Sequence, residues 1–214
     1  MIFSRLIARD AIMAWRSGGL WLPVAFLLLV AALFPFAVGP DAALLSRTGG
    51  GMLWIAALLA ALLPVDRLVA PDRDAGVLDQ FALRGVSDEA VALAKLMAHW
   101  LGFGPPLMLA ALPAAALLKL DASTVVSLEL GLALGTPALA ALGLLVAALT
   151  AGLRSSGALA GLLALPLAVP LLIFGAGSLG ENSGAALKFL AAVSLLLVAI
   201  TPFAAGAAIR AARD

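Results

Sequence analysis

Few residues in this chain can do chemistry, and their placement says more than their number. Cysteine is absent and His99 is the only histidine, which excludes thiolate catalysis, disulfides and any multi-histidine metal site within one chain. The sequence contains no Gly-x-x-x-x-Gly-Lys-Ser/Thr loop for nucleotide phosphates, no His-Glu-x-x-His, no nucleophile elbow and no carboxylate pair within one apolar run. Two ionisable residues do lie inside long apolar runs. Glu129 is an acid where ionisable groups are costly and often functional. It can instead snorkel to the nearby interface or pair with Lys119. His99 is a lone imidazole, able to serve as an axial ligand to iron. Beside Trp100 it also reads as a hydrogen-bonding residue at an interface. Both stand as candidate intramembrane or interfacial polar sites.

The other chemistry on offer is association. Residues 66–95 hold 10 of the 25 formal charges in 214 residues. Asp66, Asp72, Asp74, Asp79, Asp88 and Glu89 are acidic; Arg67, Arg73, Arg84 and Lys95 are basic. Pro71 starts a turn, and the carboxylates after it suit a helix N-terminus. Val77, Leu78 and Phe81 have i, i+1, i+4 spacing, and Arg84-Gly85 has the form of a helix end. These signals predict a helix of two to three turns over 74–83. Ser87 is the expected N-cap of the next helix, with Asp88 and Glu89 in its first turn. Such a short helix can dock into a groove on a soluble protein. Leu78 and Phe81 are the expected apolar anchors, with Asp72, Asp79 and Arg84 as rim charges. The alternative is a solvated connection that only caps two spans, although 30 residues is long for that task.

The elements around this segment read as membrane. The chain is 64% hydrophobic and 12% charged, against about 25% charge in a soluble domain. It could not cover a water-facing surface, so the expected fold is an all-α integral membrane protein forming a single transmembrane domain. Runs of about 20 apolar residues are needed to span. Six are found, at 20–38, 48–65, 96–118, 124–153, 157–177 and 189–209. Six spans put both termini on one side. Ten Lys and Arg residues fall on that side and three (Arg47, Lys119, Lys188) on the other. The positive-inside rule then makes the termini, the 66–95 loop and the turn around Arg154 cytoplasmic. Trp15, Trp21, Trp54 and Trp100 are expected near span ends, at the interfaces.

Residues 1–17 read as an amphipathic interfacial helix. Arg5, Arg9 and Arg16 share one arc, opposite Phe3, Leu6, Ile7, Met13 and Ala14, with Asp10 as a flaw in the apolar face. The arginines are expected to face anionic lipid head groups; alternatively the helix only orients span 1. Gly131-x-x-x-Gly135 and Gly157-x-x-x-Gly161 permit close helix contacts within the chain or between subunits. Pro105, Pro106, Pro113, Pro137, Pro166 and Pro170 are expected to interrupt their spans. Residues 175–184 leave a re-entrant segment open.

In order along almost the whole chain, several runs resemble the haem-exporter B permeases of the cytochrome c maturation system. They are LFPFAVGPD (33–41), DRLVAPDRDAGVLDQFALRG (66–85), AKLMAHW (94–100), GTPALAALG (135–143), LTAGLRSSG (149–157), LPLAVPLLIF (165–174) and TPFAAGAAIR (201–210). Val69 stands where that pattern has an aromatic, and Glu129 belongs to none of these runs. The resemblance implies a non-catalytic, six-span subunit of the ABC-2 type in the bacterial inner membrane, present in two copies. Its implied partners are a separate cytoplasmic ATPase, which would bind the ATP, and the haem-handling membrane proteins of the same system. Haem is the implied substrate, with no covalently bound cofactor and no nucleic acid. The loop between spans 2 and 3 would carry a coupling helix to the ATPase, adding Asp66, Arg67 and Gln80 to the contact residues above. Two other readings stay open: a non-transporting scaffold for haem delivery, and a permease for another amphipathic substrate.

Overall fold

The computed structural model describes residues 2–16, 18–19, 21–152, 156–180 and 183–213. Every regular element among them is helical. The order is α1 (Ile2–Arg16), α2 (Trp21–Val38), α3 (Ala42–Leu62), a 3-10 turn (Val65–Arg67), α4 (Ala70–Asp74), α5 (Val77–Leu83), α6 (Asp88–Leu117), α7 (Ala122–Thr150), α8 (Ser156–Gly177) and α9 (Ser183–Ala211). Among the described residues six helices are long and apolar enough to cross a membrane: α2, α3 and α6 to α9. α6, α7 and α9 run to 30, 29 and 29 residues. At 1.5 Å per residue each reaches about 44 Å, so its ends extend beyond a hydrocarbon core of about 30 Å.

α7 is the central helix and packs against α9, α6, α8 and α3, while α2 lies at the periphery. Small residues allow this: Ala138, Ala140, Ala141, Gly143, Ala147 and Ala148 of α7 are buried and let neighbouring backbones approach. Asp41 and Asp121 cap α3 and α7, accepting from the backbone N–H groups of Ala43 and Thr124 at 2.8 Å each. Ser87 caps α6 by accepting from the Ala90 N–H at 3.2 Å.

Three expectations are corrected. Trp54 is not at an interface; it is fully buried. A Cβ on Gly135 would lie 2.6 Å from its ring and one on Gly175 at 2.7 Å, so these glycines clear the space the indole fills. Gly131-x-x-x-Gly135 therefore serves packing within the chain. The turn around Arg154 lies outside the described residues, Gly157 lies in the first turn of α8, and a Cβ on Gly161 would meet nothing within 4 Å. The prolines do not end their helices, because α6, α7 and α8 continue through all six. The helix expected over 74–83 begins later, at Val77, and is preceded by a separate short helix, α4. Gly76, at φ +66°, adopts the left-handed backbone that separates α4 from α5, and Gly85 at φ +73° ends α5.

α1, the 66–95 segment and the last turn of α9 meet at one end of the bundle, where most of the charge is gathered.

Candidate functional site

α4 and α5 lie across that end and are held by three arginines from three directions. From α1, Arg9 donates to Asp72 at 2.5 Å and to Asp10 at 2.9 Å, and its guanidinium sits 5.2 Å from the Phe81 ring centroid. Partial burial lowers the Arg9 pKa, but the carboxylates of Asp10 and Asp72 outweigh it, and the net shift is upward. Lys95, only 5% exposed, donates from α6 to Asp72 and, at 3.3 Å, to Asp10. Asp10, the apparent flaw in the apolar face of α1, is thus a partner for a buried lysine. Arg9 turns inward to the protein rather than outward to head groups.

Arg73 of α4 donates to the carbonyl of Ala151 and to that of Ala212, both at 3.0 Å. Ala151 and Ala212 end α7 and α9, where backbone carbonyls lack intrahelical partners. Arg213 donates to Asp88 at 2.9 Å, has a second ion-pair contact with the same carboxylate at 2.9 Å, and donates to the Leu78 carbonyl at 3.3 Å. Arg210 donates to Glu89 at 2.8 Å and to Asp88 at 3.2 Å. The ends of α7 and α9, the start of α6 and all of α1 therefore brace α4 and α5.

This bracing divides the sequence-predicted residues into two sets. Leu78 is 2% exposed within the core, and Asp72 is buried under Arg9 and Lys95. Neither is presented as an anchor or rim charge, because the i, i+1, i+4 face of α5 is the face that packs inward. Phe81 is half-buried beneath Arg9. Asp79, Gln80 and Arg84 are exposed on the opposite side, as are Asp66 and Arg67 on the preceding turn. Sequence reasoning missed Leu83, which is 88% exposed on the same outer face. The spacing 79, 80, 83, 84 was the available signal, since those positions share one side of a helix.

Behind Asp72 and Lys95 lies a cavity of about 250 Å³ whose walls include Arg67, Met13, His99 and Phe103. His99 is 6% exposed, with its ring centroid 4.8 Å from that of Phe103. Among the described residues its Nε2 has no hydrogen-bond partner. Glu129 lies far from this site, near the Asp121 end of α7. It forms no ion pair with Lys119 among the described residues, and its buried Oε1 has no partner. The structure does not bring His99 and Glu129 together.

Six long apolar helices, a central proline-tolerant bundle and a braced charged face at one end define an all-helical multi-span membrane protein. The chain belongs to the CcmB protein family, which it matches over residues 1–212. It is 48% identical to the Heme exporter protein B of Rhodobacter capsulatus over 96% of this chain and 97% of that protein. Identity is 43% to the protein of the same name from Haemophilus influenzae, across the full length of both. It is 39% to the one from Escherichia coli K12, over 98% of each. The family resemblance visible in the sequence is borne out along the whole chain.

Proposed function

We propose that this chain is the permease subunit of an ABC transporter complex that handles haem for cytochrome c maturation, with ATP hydrolysed by a separate subunit. Full-length membership of the CcmB family carries this reading, since the relatives it matches end to end bear the name Heme exporter protein B. In it, α5 is the coupling helix and offers Asp79, Gln80, Leu83 and Arg84 to the ATPase, with Asp66 and Arg67 beside them. The termini and the 66–95 segment face the cytoplasm, and α1 lies along the inner leaflet with Ile12, Met13 and Trp15 toward lipid. Two copies pair with two ATPase subunits, and the remaining partners are the haem-handling membrane proteins of the same system.

The bracing supports the coupling role physically. A docking helix transmits movement only if it is stiffly joined to the spans. Arg9, Arg73 and Arg213 join α4 and α5 to α1, α6, α7 and α9. A push on Leu83 then reaches four long elements, while Gln80, Leu83 and Arg84 stay exposed on the outer face.

Co-purification with the ATPase tests this. Leu83→Asp and Asp79→Lys should each cut the co-purifying ATPase at least about tenfold, the scale of one lost interface anchor. Membrane levels of the permease should stay at wild type, and c-type cytochromes should fall in step. Normal ATPase recovery in both variants would overturn the assignment of α5. Lost recovery with normal c-type cytochromes would overturn the haem pathway.

A further inference from the structure

We propose that the outward face of α1 is a binding surface for the head groups of anionic phospholipids, with Arg5 and Arg16 as the residues that take them. The proposal rests on α1 lying along the leaflet and not on α5 as a coupling helix.

Charge selects the ligand. At this end of the bundle Arg9, Arg73, Arg210 and Arg213 all bond to carboxylates or helix-end carbonyls of the chain. Arg5 and Arg16 do not. Both are exposed, and among the described residues neither guanidinium has an ion pair or a hydrogen bond. A guanidinium keeps its charge in proteins, and its fork of N–H donors matches the oxygens of a phosphodiester. The two arginines are about three helical turns apart, which puts them on one side of α1 at about 17 Å from each other. One phosphate cannot bridge that distance, so the face takes two lipids.

The neighbours of these arginines select a membrane rather than a soluble acidic partner. Ala8, Ile12 and Trp15 share the same half of the helix, with Ile12 55% and Trp15 61% exposed. The opposite half is occupied, since Leu6 is buried and Asp10 accepts from Lys95 of α6. Exposed apolar side chains beside arginines suit a helix in the interface plane, with the first toward the acyl boundary and the second toward phosphate. The depth agrees. Trp15 and Trp21 are in edge-to-face contact, with ring centroids 6.4 Å apart, where α1 turns into the apolar helix α2. Exposed indoles belong at the level of lipid head groups. Arg16 follows Trp15 in the chain and so lies at that level. The leaflet then holds α1 from outside, while Arg9 and Asp10 hold it from inside to Asp72 and Lys95.

Lipid-specific quenching tests the proposal. The chain has no cysteine, so Ala8→Cys gives a single attachment point for a fluorophore on this face. The labelled full-length protein is reconstituted in dioleoylphosphatidylcholine vesicles with a minor share of dioleoylphosphatidylglycerol, and one lipid or the other is brominated as the quencher. Per mole of brominated lipid, phosphatidylglycerol should quench at least about fivefold more than phosphatidylcholine, the scale of one basic residue at an anionic surface. Arg5→Gln with Arg16→Gln should bring the two lipids level, and Arg5→Lys with Arg16→Lys should keep the preference. Equal quenching by both lipids with the arginines intact would overturn the proposal while leaving α1 on the leaflet. So would a preference that survives the double glutamine variant. Quenching by neither lipid would overturn both the proposal and the placement of α1 on which it rests, and would leave a soluble partner as the occupant.

Discussion

Lys95 shows how a charge is carried into an apolar fold. Alone it would be a costly lysine near the end of a membrane helix; with Asp72, Asp10 and Arg9 it sits in a four-residue network. Removing Lys95 leaves Asp10 and Asp72 sharing the one cation Arg9, with one carboxylate charge uncompensated. Lys95→Met should therefore lower stability by about 3–5 kcal/mol. The double variant Lys95→Met with Asp72→Asn should lose clearly less than the sum of the single losses, because the two residues share one interaction. Thermal unfolding in detergent measures both. Asp121 allows a pH prediction. Hydrogen bonds from Thr124 and Ser123 hold its carboxyl below the usual range. The folded pKa is depressed, so the cap contributes fully above the unfolded value of about 3.9. That contribution fades as pH falls through the lowered folded value. Asp121→Asn should flatten the acid limb of the stability profile, read as melting temperature from pH 6 down to about pH 2.

At the scale of elements, glycine placement sets which helices touch. Gly135 and Gly175 leave room for the Trp54 indole between α3, α7 and α8. Gly135→Val should cost about 1–3 kcal/mol by overpacking, and Trp54→Phe, with its smaller ring, should return part of that loss. A melting series of the three proteins checks this. Gly206 does similar work for α9, where a Cβ would lie 3.0 Å from the Glu89 backbone nitrogen. Close approach there lets Arg210 and Arg213 reach Asp88 and Glu89.

At the scale of the whole molecule, one end of the bundle is a braced platform and the rest is an apolar body. Arg73 is the longest-range brace, joining α4 to the ends of two spans through Ala151 and Ala212. Arg73→Ala should loosen α4 and α5 without disturbing the core. Hydrogen exchange should accelerate across 70–85 at least about tenfold, while the centres of α3 and α7 exchange as in wild type. Under the proposed function that variant would bind the ATPase yet transmit its cycle poorly.

The six long helices, the end of α5 at Gly85 and the cap at Ser87 were legible from the chain alone, because each rests on local signals. An uncharged run must find a non-aqueous environment wherever it sits, and a cap bonds only to its own first turn. The family too is written along the whole chain. What α5 turns outward was not legible. Its apolar spacing marked Leu78 and Phe81 as a contact face, but periodicity cannot say whether that contact is with the protein's own core or with a partner. Tertiary packing chose the core and left Leu83 outside. The same holds for Asp10, Arg9 and Trp54, each placed by partners 63 to 121 residues away in the chain. Ion pairs and packing are pairwise and non-local, so the sequence by itself determined the spans and the family, and only the tertiary structure decided which charges face one another and which side of the 66–95 segment is free.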